Sequence, residues 1–426
     1  MNLRSLTERA ISNMSGSFNK MWLQIIHAWG LLPKHLITFR AWLKDEKGHL
    51  FHSRAFYKSD KEGKVDLDHA AAIGGDVQGV YPMGLLWTLS PTTPFVKLIK
   101  RDTMSPFHIH LELYLGVQVY QPLRDPPVVT RILEIWYVAP GVQRLQVREG
   151  RVRGSLFLPP GEGPFRGIID LYGIHGGLLE YRSSLLASRG FACLALAYFA
   201  YDDLPPVLES VDLKYFEEAA HLLLQNPKVS GDGVGIMSLS KGAEIALAMA
   251  AYLPQVKATV CINGSTAVLQ ESMSFGDIHM KGIPFHFERV QVTDIGAVDL
   301  SNTILYDKMA DHANSILPLE KANGPILFLV SEGDNLFNSL KFANEAKARA
   351  ERFGKKDVQV LSFPGAGHLL EPPGLSLCAA SSVAAFYRPC KWGGEPLAHG
   401  KAQDMCWREI QSFFNKNMRC TKHNKL

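Results

Sequence analysis

From residue 191 onward, short uninterrupted apolar runs alternate with helical patterns, and few folds accept that rhythm. The runs are "FACLALAYF" (191–199), "VGIMSL" (234–239), "ATVCIN" (258–263), "PILFLVS" (325–331) and "VQVLSF" (358–363). Between them stand "YFEEAAHLLLQN" (215–226), "AEIALAMAAYL" (243–253) and "KFANEAKARAERFG" (341–354). A strand with no polar face must be covered on both sides, so the pattern predicts a parallel sheet with helices on both faces. An earlier run, Ile168–Tyr172, is read as one more buried strand, entered through a lead-in strand and a Pro/Gly loop in "GRVRGSLFLPPGEGPFRG". The mixed stretch at about 264–322 is too long for a plain connection and is read as an inserted lid.

Upstream the period changes to two. In "LITFRAWL" (36–43), Ile37, Phe39, Ala41 and Leu43 fall on one face; "DEKG" makes a turn, and "FHSRAFY" follows as a second strand. A further turn, "DKEG", precedes "KVDLDH". Short strands at this spacing predict an all-β sandwich, fading near residue 150. At 46% apolar and 20% charged residues the chain can bury a large core, and it is poor in the charge that keeps chains disordered. A net charge of +4 with no dense Lys/Arg block gives no case for nucleic acid. No apolar run reaches the roughly 18 residues of a membrane span. The cysteines show no CxxC spacing, and Cys193 and Cys261 lie inside apolar runs, so they are read as reduced core residues and not as a disulfide frame or metal site. No metal or cofactor is expected.

One serine sits at a seam. "GVGIMSLSKGAEIALAMA" (233–250) runs from strand to helix through Ser240, with Ser238 two before and Gly242 two after. A tight strand-to-helix turn holds such a side chain out of the sheet, beside helix N–H groups that have no partner. The motif is S-x-S-x-G where G-x-S-x-G is usual, and a helix cap is the plainer reading of Ser240 by itself. The remaining runs supply partners in the order Ser, Asp, His that an α/β-hydrolase requires. Asp334 follows "PILFLVS", with Glu332 as the alternative acid, and His368 follows "VQVLSF" behind Gly365-Ala366-Gly367. For the oxyanion, the expected donors are the backbone N–H of Lys241 and one from Gly173, Ile174 or His175 in "GIHGGLLEYR"; the Lys241 side chain is expected to face solvent.

With these residues placed, the chain resembles the type I acyl-CoA thioesterases and the bile acid-CoA:amino acid N-acyltransferases. It is most similar to the peroxisomal acyl-CoA:amino acid N-acyltransferases. The stretches that carry this are "GGLLEYRSSLLASRGFA", "ALAYFAYDDLP", "SKGAEIALAMA", "PGAGHLLEPP" and "WGGEPLAHGKAQ". The resemblance implies an immunoglobulin-like β-sandwich (31–145) before an α/β-hydrolase domain (146–416) and a tail (417–426). It also implies the triad Ser240, Asp334, His368. The implied substrate is a long-chain fatty acyl-CoA or bile acyl-CoA thioester, and the acyl group passes to taurine or glycine or, in the thioesterases, to water. A serine at the elbow resembles the thioesterases and fatty acyl conjugators; "PGAGHLLEPP" resembles the conjugating branch.

Residues 1–30 depart from the family's opening strand. Arg4, Arg9 and Lys20 among near-helical apolar residues make a weak mitochondrial presequence pattern, and a disordered tail is preferred. The ending Asn424-Lys425-Leu426 departs from S-K-L only at its first position, so a peroxisomal import receptor is an expected partner, with cytosol the alternative location. "KLIKR" (97–101) is read as a solvated patch ahead of a CoA phosphate site; Trp392, His399, His108 and His110 are read as packing residues.

Overall fold

The computed structural model describes residues 26–119, 125–383 and 386–420. Its larger part is built on an eight-stranded sheet. Two strands, β10 (Gln143–Glu149) and β11 (Val152–Leu158), enter antiparallel. The rest run parallel: β12 (Phe165–Leu171), β13 (Phe191–Ala197), β15 (Val229–Leu239), β16 (Val256–Ile262), β21 (Ile326–Ser331) and β22 (Val358–Phe363). Their order in space is β10-β11-β13-β12-β15-β16-β21-β22, the order of an α/β-hydrolase. The chain goes from β12 to β13 on one side and later to β15 on the other. A crevice therefore opens at the carboxyl ends of β12 and β15, where open α/β sheets place their sites.

The apolar runs make this sheet because their side chains are buried on both faces; every residue of β13 and β21 is buried. Helices α1 (Tyr181–Ala187), α2 (Leu213–Gln225), α3 (Lys241–Tyr252), α4 (Ser339–Arg352) and α5 (Pro396–Asn417) flank it. In α2, Leu213, Tyr215, Phe216, Ala219, Ala220 and Leu223 form the buried stripe, and Asp212 caps the helix by accepting from Lys214 N. In α3 all residues from Lys241 to Ala251 are buried, so small side chains dominate it. Fully burying one Leu or Ile contributes about 1.5–3 kcal/mol, and the two faces of the sheet hold dozens of such residues.

The amino-terminal part is antiparallel β. Strands β2 (Leu36–Lys44) and β3 (Leu50–Lys58) form the expected hairpin, with Ile37, Phe39, Ala41 and Leu43 buried. They belong to a seven-stranded sheet with β5 (Ala72–Gly75), β6 (Gln78–Gly79), β7 (Ser90–Pro91), β8 (Phe107–Leu115) and β9 (Val129–Ile135). The run "KVDLDH" yields only β4 (Val65–Asp66), which pairs with β1 (His27–Ala28). Within the segment 1–30, read above as departing from the family's opening strand, the described residues form β1, and Ile26 and Ala28 are buried. Residues 1–25 and the Asn424-Lys425-Leu426 ending lie outside the described residues. One apolar cluster runs from Ile37 and Phe39 to Trp407 and Phe414 of α5, so the two parts share a core.

The 264–322 stretch is stitched down by small sheets. Its β17 (Ser272–Phe275) pairs with β18 (Ile278–Met280) and with β14 (Ser210–Asp212). Its β20 (Val298–Asp299) pairs with β19 (Gln291–Val292) and with β24 (Cys390–Lys391), which in turn pairs with β23 (Ala380–Ser381). Five of the cysteines are buried thiols and Cys420 is exposed. No helix among the described residues is long and apolar enough to cross a membrane.

Candidate active site

Ser240 lies between β15 and α3 with φ 58° and ψ −124°. Non-glycine residues reach this region only when their surroundings force them there, at a cost of order 1–3 kcal/mol. Neighbours on every side do the forcing. Ser240 N donates to Ile262 O, and the Ser238 hydroxyl donates to Val260 O, which ties the turn to β16. A Cβ on Gly242 would sit 2.5 Å from Tyr172 O and 2.6 Å from Leu171 O, so only glycine lets α3 pass the end of β12. Ser240 makes no side-chain cap bond to α3. Its hydroxyl instead lies 2.9 Å from His368 Nε2.

His368 is fully buried and stands in the loop after β22. Its Nδ1 is 2.9 Å from Asp334 Oδ2. Trp392 stacks on the imidazole at 5.5 Å and Phe337 meets it edge-on at 5.2 Å, so the ring has little freedom. Asn263, at φ 45° after β16, donates to His368 O and Gly367 O and accepts from Ser331 N. A Cβ on Gly367 would sit 2.2 Å from Gly393 O, which accounts for a glycine just before the histidine. Asp334 is held by the Ser339 hydroxyl on Oδ2 and by Leu336 N and Phe337 N on Oδ1. Glu332, the alternative acid, is exposed. With the ring proton on Nδ1 donated to Asp334, Nε2 is free to accept the Ser240 proton.

Lys241 opens α3, so its N–H is among the helix donors without an intrahelical partner. A Cβ on Gly173 would sit 2.7 Å from Ser240 Cβ, which puts the 173–175 loop directly against the nucleophile. The Tyr198 hydroxyl donates to Tyr172 O and Gly173 O. In planar trans peptides this turns the N–H groups of Gly173 and Ile174 away from Tyr198. Gly173, Ile174 and His175 line the same cavity as Ser240 and His368. Burial first, then Lys97 and Arg101, pushes His175 down to about 4, so it stands neutral in the cavity wall. The cavity is small, about 20 Å³.

Three expectations are corrected. The Lys241 side chain is buried: its Nζ donates to Glu244 Oε1 and Leu269 O at 2.7 Å and pairs with Glu271 at 2.9 Å. The 264–322 stretch folds over it, and the two carboxylates outweigh burial and raise its pKa. The "KLIKR" segment is no solvated patch either. Lys97 and Lys100 are buried and paired with Glu371 and Glu46, while Arg101 is exposed. Among the residues read as packing, His399 is buried and accepts from Gly367 N, and His110 stacks on Trp42; the reading of His108 is corrected, because its side chain alternates to the solvent side of its strand and is exposed beside Glu134.

Sequence reasoning missed a buried polar bridge. Glu371, three residues after His368, accepts from Lys97, Tyr172 and Tyr181. Lys97 and Glu371 both carry charge into apolar surroundings, and a lone charge inside "HLLEPP" was the signal available. Tyr198, Asn263 and Ser339 were missed because nothing local marks a residue that acts on a distant loop.

Comparisons with known proteins come down on one group. A family model described as "Acyl-CoA thioester hydrolase/BAAT N-terminal region" matches residues 24–149, and "BAAT / Acyl-CoA thioester hydrolase C terminal" matches 211–419. The chain is 50% identical over 394 residues to acyl-coenzyme A amino acid N-acyltransferase 1 of Mus musculus, covering 92% of this chain and 94% of that one. It is 47% identical over 396 residues to the human bile acid-CoA:amino acid N-acyltransferase, covering 92% and 94%. Against human acyl-coenzyme A thioesterase 1 the identity is 44% over 391 residues, covering 91% and 92%. Among solved structures, the acylaminoacyl peptidase of Pyrococcus horikoshii aligns at 14% identity with a TM-score of 0.43, covering 90% of this chain and 56% of that one.

Proposed function

The chain belongs to the acyl-CoA thioester hydrolase/bile acid-CoA:amino acid N-acyltransferase family, and on that premise we propose that it conjugates long-chain acyl groups from CoA thioesters to taurine or glycine through an acyl-serine. The observation that carries the reading is the unbroken hydrogen-bonded row from Ser240 through His368 to Asp334, beginning at a serine held at φ 58°.

The chemistry follows from the row. Ser240 Oγ attacks the thioester carbonyl while His368 Nε2 takes its proton, and Asp334 stabilises the imidazolium. The oxyanion is assigned to the N–H groups of Lys241 and of Gly173, Ile174 or His175. Collapse breaks the C–S bond, His368 returns the proton to the leaving sulfur, and CoA departs as the thiol. The amine of the acceptor then attacks the ester and gives a proton to His368. C–O cleavage, with His368 passing that proton to Ser240 Oγ, restores the serine and the neutral imidazole and releases the amide. CoA is a substrate here, and no cofactor enters the proposal.

Hydrolysis is the second reading, and one observation favours it: a cavity of about 20 Å³ holds little more than one water. Transfer to an amino acid is preferred because the more similar of these relatives carry N-acyltransferase names. Incubation with palmitoyl-CoA, with and without taurine or glycine, separates the two. N-acyl product is expected, and free fatty acid alone rejects conjugation.

The proposal also divides the chain between β9 and β10, at 136–142; the expected boundary at 145/146 is corrected because it would cut through β10, which is paired along its length with β11 in the eight-stranded sheet. It takes the antiparallel part for an immunoglobulin-like sandwich, with the β1–β4 ladder packed on the same core as the seven-stranded sheet in support.

A further inference from the structure

The loop that follows β12 runs beside the residues that follow β13. Leu171 pairs with Leu196 at the end of that parallel ladder, so two residues further on Gly173 comes level with Tyr198. The Tyr198 hydroxyl has one proton and shares it between two carbonyls of the loop, Tyr172 O at 2.5 Å and Gly173 O at 3.3 Å. Its ring is held by Phe199 at 5.1 Å and by Phe216 of α2 at 5.7 Å. The loop is fastened to the same segment a second time: Gly177 N donates to Phe199 O, and a Cβ on Gly176 would sit 2.6 Å from the Phe199 ring. Burial, then the carboxylates of Glu244 and Glu271, hold the Tyr198 phenol well above its ordinary pKa, so it stays a donor.

Resting on the acyl-serine reading above, we infer that Tyr198 is a positioning residue of the oxyanion hole: it holds the carbonyls of Tyr172 and Gly173 on its own side and so keeps the N–H groups of Gly173 and Ile174 turned toward the oxygen that forms at Ser240. Tyr198 does not line the cavity at Ser240 and acts through the loop alone. Two features carry the inference. In a trans peptide the N–H points opposite to the C=O, so fixing two successive carbonyls fixes two successive donors. Gly173 is also the residue whose backbone most needs the restraint. Without a Cβ it turns about φ and ψ at little cost, and one turned peptide would aim a carbonyl where the oxyanion needs a donor. A larger residue cannot stiffen it, because a Cβ there would sit 2.7 Å from Ser240 Cβ. The chain braces the glycine from the end of β13 instead.

The test is Tyr198→Phe in the full chain, which removes the hydroxyl and keeps the ring. The single-turnover rate of acylation by palmitoyl-CoA should fall by roughly 10–100-fold, less than or equal to the loss of a whole oxyanion donor. A trifluoromethyl ketone analogue of palmitoyl-CoA, which forms a tetrahedral adduct on Ser240, should lose affinity by the same factor. The alkyl thioether analogue forms no adduct and should bind within about twofold of wild type, because the donors act on the transition state and not on the bound ground state. A 4-aminophenylalanine in place of Tyr198 returns an N–H donor and should recover most of the rate. Circular dichroism and thermal unfolding show whether Tyr198→Phe folds. If it does not, Phe216→Leu decides: it keeps the hydroxyl but loosens the ring, and the acylation rate and ketone affinity should each fall by roughly 3–10-fold. A folded variant that acylates within about twofold of wild type, or that loses affinity equally for both analogues, overturns this inference alone. Wild-type protein that is neither acylated by palmitoyl-CoA nor bound by the ketone overturns the functional reading and this inference with it.

Discussion

Replacing Lys97 by methionine should destabilise the protein by about 3 kcal/mol at pH 8 and much less at pH 5. The Lys97 and Glu371 side chains are 7% and 3% exposed, and Nζ lies 2.5 Å from Oε1. Removing one partner of a buried pair costs about 3–5 kcal/mol, because the other charge stays behind. The lower end applies here, since the Tyr172 and Tyr181 hydroxyls and the Arg182 charge still face Glu371. The sign of the pH effect follows from the same groups. Burial would raise Glu371, but Lys97 and then Arg182 outweigh it and hold the carboxyl below its usual range. In the native chain this pair therefore contributes fully above about pH 4.3 and fades as the pH falls through the lowered value. Without Lys97, burial wins and the folded value rises above the unfolded one. The variant then keeps its stability at low pH and loses it as the pH climbs through the raised value. Urea unfolding at pH 5 and 8 reads this out, and adding Glu371→Gln should restore most of the loss. The carboxylate sits three residues from His368 and holds Tyr172 next to Gly173, so fluorophosphonate labelling of Ser240 should slow as well. A Lys97→Met chain within 1 kcal/mol of wild type at pH 8, or equally destabilised at both pH values, refutes the reasoning.

Other outcomes follow from the same geometry. Asp334→Asn keeps the fold but forfeits the tautomer that Nε2 needs, so acylation by palmitoyl-CoA should drop on the order of 10⁴-fold in a single-turnover assay. Gly242→Ala forces a methyl against two carbonyls at the end of β12; thermal unfolding should show a loss of about 1–3 kcal/mol, with nucleophile labelling reduced beyond that. Burial pushes Glu244 up to about 7 against the pull of Lys241. A carboxyl raised in the folded state contributes fully below about pH 4.3 and loses that contribution as the pH rises through 7. Urea unfolding of Glu244→Gln against wild type should therefore shift in favour of the variant by on the order of 3 kcal/mol between pH 4 and 8.

The parallel sheet was legible because Phe191–Ala197 and Ile326–Ser331 have no polar face and can sit nowhere but between two layers. Ser240, Asp334 and His368 could be placed because each follows the carboxyl end of such a strand, and the topology of the sheet gathers those ends. What stayed hidden lay in long-range pairing. Lys241 looked like an ordinary solvent-facing lysine at a helix start until the 264–322 stretch closed over it with Glu271. Lys97 looked like one member of a basic run, and its partner stands 274 residues away. The run "KVDLDH" made a two-residue strand because its neighbour is the short β1 and not a long hairpin mate. Periodicity reports which face of an element is buried; it does not report which charge will meet which across the fold.

The most direct test is to quench the protein during turnover with palmitoyl-CoA and map the acyl group by peptide mass. A palmitoyl ester on the peptide carrying Ser240, absent from Ser240→Ala and accumulating in His368→Ala only far more slowly, is the predicted result. Release of CoA at the wild-type rate by Ser240→Ala, with no acylated peptide anywhere, contradicts the account.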